Sequence, residues 1–168
     1  MKVRRTGNNA YAKLSLALNN LKGKVGKAGW VEATYYPKDD EEDEDMTTAE
    51  VARISEFGEP SKNIPPRPVV RPAIIENRKK WASIAQIESK RALNGDQNIA
   101  GIMEILGLEA AGAIRKNITE LTVPPLSKIT IAIRKSKMKN KNITGKLDKP
   151  LIFTKLFLNS CTNTVEDQ

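Results

Sequence analysis

Four prolines, Pro65, Pro66, Pro68 and Pro72, fall within eight residues of the stretch "EFGEPSKNIPPRPVVRPAII" at 56–75. Proline has no amide donor and holds its own φ near one value. It also biases the residue before it away from helix. No regular helix or central strand therefore spans 64–72, and this part of a connector running over 59–72 is predicted to be extended and stiff. Pro72 suits the first turn of a helix that follows. The chain is thus divided into an N-terminal part and a C-terminal part that the connector must bring together.

On the N-terminal side, Ala10, Leu14, Ala17, Leu18 and Leu21 recur at helical spacing, which predicts an amphipathic helix over 8–22, ended by Gly23. The interruptions at Asn19, Asn20 and Lys22 argue against a signal peptide. Residues 24–37, rich in Val, Trp, Thr and Tyr, read as a strand closed by Pro37. "MTTAEVARISEFG" at 46–58 reads as a helix, with Thr47 and Glu50 in capping-box spacing and Gly58 as its stop.

Beyond the connector, a helix is predicted over 73–93, with Ile74, Trp81, Ile84, Ala85 and Ala92 on its buried side. Another is predicted over 97–119 behind Asp96 as N-cap. The second contains Gly101, Gly107 and Gly112, which suggests close packing or a bend at Gly107. Ser127 is placed to cap a short helix over 128–136. A lysine-rich loop, expected to be mobile over 136–149, follows, and residues 151–165 are predicted to end the chain as a strand, with helix ambiguity at 151–157. The order implies an α+β fold, a small antiparallel sheet packed against helices, in one domain over 1–168.

Charge and composition narrow the function classes. The net charge is +8, yet Asp39–Asp45 is an unbroken run of seven acids, so the rest of the chain carries +15. Between Ala113 and Lys155 eleven Lys and Arg face two acids, Glu120 and Asp148. This split favours contact with a polyanion or charge-complementary packing between subunits. The acidic segment 38–46 is expected to be a mobile, solvated tip. It lacks the alternating acids and central glycine of a calcium loop. With no histidine and one cysteine, Cys161, neither an internal disulfide nor a usual zinc site is available, and Cys161 is expected to be buried. No nucleophile–base pair, phosphate-cradling glycine loop or metal cluster can be assembled. No enzymatic activity and no cofactor are expected. No stretch approaches membrane-spanning length, so no membrane partner is expected.

Five motifs occur in order: "AEVARISEFG", "IPPRPVVRPAI", "IMEILGLEAAGAIRKNI", "PPLSKITIAIRKSK" and "KPLIFTKLFLNS". The series resembles the virion-morphogenesis, or tail-completion, family of tailed double-stranded DNA phages over roughly Ala49 to Ser160. That family typically carries an Asn-Glu-Phe-Gly-like tetrad, an Ile-Pro-Ala-Arg-Pro-Phe-like connector and a Lys-Pro-Leu-Ile-Asp-Thr-Gly-like segment. Here Pro66 stands for the small residue, Val69 for the aromatic and Phe153-Thr154-Lys155 for Asp-Thr-Gly. The acidic run has no counterpart in the pattern.

The resemblance implies a structural protein of the neck or proximal tail, assembled in the host cytoplasm and carried in the virion. It implies a ring, a hexamer, that contacts other neck, connector or tail-tube proteins and surrounds the DNA path. On this reading Phe57, Ile64, Pro65, Pro66, Arg67, Pro68, Val69 and Arg71 form an arm laid against the next subunit, with little entropy left to lose on docking. Two other uses stand beside it: a stiff linker packed on its own domain, and a proline-rich ligand for an SH3-like domain. Arg134, Lys135, Lys137, Lys139 and Lys141, with Lys146 and Lys149, have three: contact with packaged DNA, contact with acidic loops of another subunit, or a solvated loop. The absence of interleaved aromatics argues against base stacking. Non-specific nucleic-acid binding is the alternative function.

Overall fold

The structure is a computed structural model that describes residues 11–12, 15–16, 19, 24–32, 34–36, 46–94, 99–141, 146–153 and 155–167. It is an α+β fold in which a two-stranded antiparallel sheet packs on helices. The sheet pairs β1 (Lys24–Gly29) with β2 (Thr162–Asp167), in a register running from Lys24 opposite Asp167 to Gly29 opposite Thr162. Lys24–Asp167 and Lys27–Glu166 ion pairs cross the strands at 2.7 and 2.6 Å. The helices are α1 (Thr48–Phe57), α2 (Val70–Leu93), α3 (Ile99–Glu120), α4 (Lys128–Lys141) and α5 (Leu156–Asn159), with a short 3-10 turn at Pro60–Lys62.

Helices α2 and α3 pack together, and the sheet lies against α3. Gly107 makes that close approach possible. A Cβ there would lie 3.0 Å from the Cβ of Asn163 on β2. The expected close packing is therefore found at Gly107, whereas Gly112 faces open space.

The core gathers at the C-terminal half of α3. Val69, Ala73, Ala111, Ile114, Ile118, Phe157 and Cys161 are buried together. Trp30 stacks on Phe157 with ring centroids 4.2 Å apart, and its Nε1 donates to the Phe157 carbonyl at 2.8 Å. Burial pushes the Cys161 thiol up against the opposing charge of Arg115, so the sulfur stays protonated at neutral pH.

Several expectations are corrected. The strand expected over 24–37 stops at Gly29, because Trp30 turns into the core. Tyr35 then forms an isolated bridge to Thr47. Helix α2 starts at Val70 rather than 73, and Ile74 is exposed instead of buried. Helix α4 continues to Lys141, through part of the expected basic loop. Its run of lysines alternates with Ser136, Met138 and Asn140 and contains no Pro or Gly, so nothing local ends it at 136. The final strand is confined to Thr162–Asp167 and preceded by α5. The turn before α5 is made without glycine: Lys155 itself adopts the left-handed conformation, φ 60°.

Of the helix expected over 8–22, residues 11, 12, 15, 16 and 19 are helical. Its apolar stripe, the acidic run at 39–45, the Asp96 cap and residues 142–145 lie outside the described residues. No helix among the described residues is long and apolar enough to cross a membrane. No group of three or more metal-ligating His, Cys, Asp or Glu occurs among them either.

Candidate functional site

The connector is held by the end of α1. That helix begins with a complete capping box, in which Thr47 Oγ1 accepts from the Glu50 amide at 3.2 Å and Glu50 Oε2 accepts from the Thr47 amide at 2.7 Å. Its last turn carries Ser55, Glu56 and Phe57, and Gly58 stops it with φ 77°. The backbone then reverses through the turn at Pro60–Lys62 and Asn63, and closes with a bridge between Glu59 and Ile64. Residues 65–68 form neither helix nor strand, and the Arg67 amide donates to the Ser55 carbonyl at 2.6 Å.

Glu56 is the centre of this arrangement. Its carboxylate is buried, and Oε2 accepts from the amides of Val69 at 2.8 Å and Val70 at 2.9 Å. Oε1 accepts from the Arg71 amide at 3.0 Å and from Arg71 Nε at 2.8 Å. The Arg71 guanidinium also donates to the Glu56 carbonyl at 2.6 Å and lies 5.2 Å from the centre of the Phe57 ring. The first turn of a helix has amides without intrahelical partners and a partial positive charge. Pro68 and Val69 offer no side-chain acceptor for them, so a carboxylate from thirteen residues earlier caps α2. Burial pushes the Glu56 carboxyl up. The hydrogen bonds from Val70, Arg71 and Val69 outweigh that, and its pKa falls below the ordinary value.

Arg67 reaches the other way, donating from Nε to the Pro124 carbonyl at 3.1 Å and from its terminal nitrogen to Pro125 at 3.2 Å. Arg134 on α4 donates to the carbonyls of Leu147 and Lys149 at 3.2 and 2.7 Å and lies over the Phe153 ring. Burial lowers the pKa of both guanidinium groups, and the charge of Arg67 lowers that of Arg134 further. Two arginines thus share one region, where backbone carbonyls receive their hydrogen bonds.

The sequence-predicted residues divide accordingly. Val69 is in the core, and Arg67 and Arg71 are engaged within their own chain, so the geometry is that of a linker packed on its own domain. Phe57, Pro65 and Pro66 remain exposed, with Ile64 and Pro68 half-buried. In the basic arm, Arg134 points into its own chain, while Lys135 and Lys139 are exposed and Lys137 is half-buried on α4. Lys141 is the last residue of that helix. Sequence reasoning missed Glu56 as the organising group. The missing local cap before Val70 was the available signal.

Gly58 tests the clamp directly. Its φ is one that L side chains rarely adopt, and a Cβ would meet Ile64 O at 2.9 Å and Pro66 N at 3.0 Å, both backbone atoms. Gly58→Ala is expected to cost about 2–3 kcal/mol of stability, read as a lower denaturant midpoint with unchanged slope. The chain matches no profile of a known protein family, no curated protein sequence and no solved structure.

Proposed function

We propose that this chain is a structural, non-catalytic subunit of a phage neck or proximal tail, working by self-association into a ring that completes the tail or joins it to the head. The observation that carries the self-association is the apolar surface left on well-formed elements. Phe57, Ile75, Leu108 and Ile129, all on helices, are each more than half exposed. Contiguous exposed apolar groups mark interaction surfaces, and Ile129 and Ile133 stand one turn apart on α4, both more than half exposed. The ordered motifs from "AEVARISEFG" to "KPLIFTKLFLNS" support the placement in a virion.

Light scattering coupled to size exclusion tests the reading. The expected result is a concentration-dependent particle several times the mass of one chain, a hexamer, with the protein present in purified virions. A chain that stays monomeric at every concentration and is missing from particles overturns it. The alternative, non-specific nucleic-acid binding, rests on the exposed lysines of α4. It requires duplex binding that weakens steeply with salt.

A further inference from the structure

We propose that the outward face of α4 is the docking site for the acidic segment Asp39–Asp45 of a second copy of this chain. The proposal rests on the self-association reading and names a contact that makes it.

Helix α4, "KITIAIRKSKMKNK", carries six basic residues and no acid. Arg134 is turned inward, onto the carbonyls of Leu147 and Lys149. That fixes which side of the helix faces out. On the outer side Ile129 and Ile133, one turn apart, are 74% and 52% exposed. Beside this pair runs a second exposed line, Lys128, Ala132, Lys135 and Lys139. None of the ion pairs among the described residues involves Lys128, Lys135 or Lys139. The face is thus a cationic ridge along an apolar one, and a matching ligand brings acids and an apolar group together.

This chain carries such a ligand. The acidic run leaves and returns at one place, because the Tyr36 amide donates to Met46 O at 2.9 Å and the Thr48 amide to Thr34 O at 2.8 Å. Tyr35, at the base of the run, is 57% exposed, so an aromatic side chain accompanies the acids. Phosphate would satisfy the lysines and leave the isoleucines wet. Spacing also agrees: side chains four apart on a helix are about 6 Å apart along its axis, and alternate residues of an extended chain about 7 Å. The remainder of the chain carries +15, so copies repel one another unless these acids lie against a basic surface.

A charge swap tests the contact. One variant carries Lys128→Glu, Lys135→Glu and Lys139→Glu. The other carries Asp40→Lys, Glu42→Lys and Glu44→Lys. All six positions lie on exposed α4 surface or in the acidic run, and thermal unfolding checks that each variant folds. Sedimentation velocity of the wild type at about 50 mM salt is expected to show self-association. Each variant alone is expected to associate at least about tenfold more weakly, and an equimolar mixture of the two to recover association. A synthetic peptide, YYPKDDEEDEDM, is expected to bind the wild type and not the α4 variant.

Four results overturn the proposal. Variants that associate like the wild type leave self-association standing and remove this contact. Loss without recovery on mixing assigns the two surfaces to different partners. Mixed-sequence duplex DNA that binds through the α4 lysines, with self-association unaffected by the variants, assigns the face to nucleic acid. A wild type that stays monomeric removes both the contact and the self-association on which it rests.

Discussion

Glu56→Ala is expected to lower the unfolding free energy at neutral pH by about 3 kcal/mol, measured by urea unfolding. The carboxylate is buried and serves the amides of Val69, Val70 and Arg71 together with the Arg71 guanidinium. Alanine removes the side-chain acceptor of the three amides and, among the described residues, leaves Arg71 only its hydrogen bond to the residue 56 carbonyl. The Val69 amide then stays buried and unpaired, which costs more than the net gain from one hydrogen bond. Arg71 is half exposed and recovers water, so the loss sits at the low end for breaking a buried pair. Glu56→Gln keeps an acceptor and is expected to lose about half as much, mainly through the charge.

The same residue sets a pH dependence. Its folded pKa is depressed, so its contribution is fully present above the unfolded carboxyl value, about 4.3. It is lost as pH falls through the folded value. Wild-type stability is therefore expected to drop on acidification below about pH 4.3, with a shallower acid limb in Glu56→Gln. Part of the limb persists in that variant, because the Thr47 amide and hydroxyl hold the Glu50 carboxyl below its ordinary value as well.

Phe157→Ala is expected to cost about 3–5 kcal/mol. The ring is 1% exposed, lies in the core with Val69, Ile114 and Ile118, and stacks on Trp30. Alanine leaves a cavity where α5, α3 and the end of the connector at Val69 meet, and these elements close only partly around it. The Trp30 Nε1 bond to the Phe157 carbonyl is a backbone contact and survives, so the loss reports packing and stacking. Near-ultraviolet circular dichroism is expected to lose intensity with the stack. Phe157→Leu, which retains most of the volume, is expected to cost less than half as much.

Local signals in the sequence were sufficient for many elements. The Thr47–Glu50 capping box, the Gly58 stop, the Ser127 cap of α4 and the lack of regular structure at 65–68 depend on interactions within about four residues. They appear in the structure where the residues put them. Helical periodicity likewise located α2 and α3.

Where it misled, a longer-range partner decided. Helix α2 begins three residues early because Glu56, on another helix, caps it. Ile74 is exposed because α3 covers a different face of α2. Residues 31, 32 and 34–36 lie outside the sheet because Trp30 finds Phe157, which is 127 positions away. Glu56 stood in plain view in "SEFG", yet its role depends on which amides the connector delivers to it.

The amino-acid order alone determined how α1 and α4 are capped, where prolines interrupt regular structure and that the charge is split between one acidic run and a basic body. Tertiary structure alone decided that the connector folds back on its own domain, that Arg67 and Arg134 turn onto backbone carbonyls and Arg71 onto Glu56, and that Lys128, Ile129, Ile133, Lys135 and Lys139 of α4 face out. The physical reason is range. Caps, prolines and periodicity act within a turn or two, whereas the face an element buries, and the partner that neutralises a charge, are properties of what packs against it.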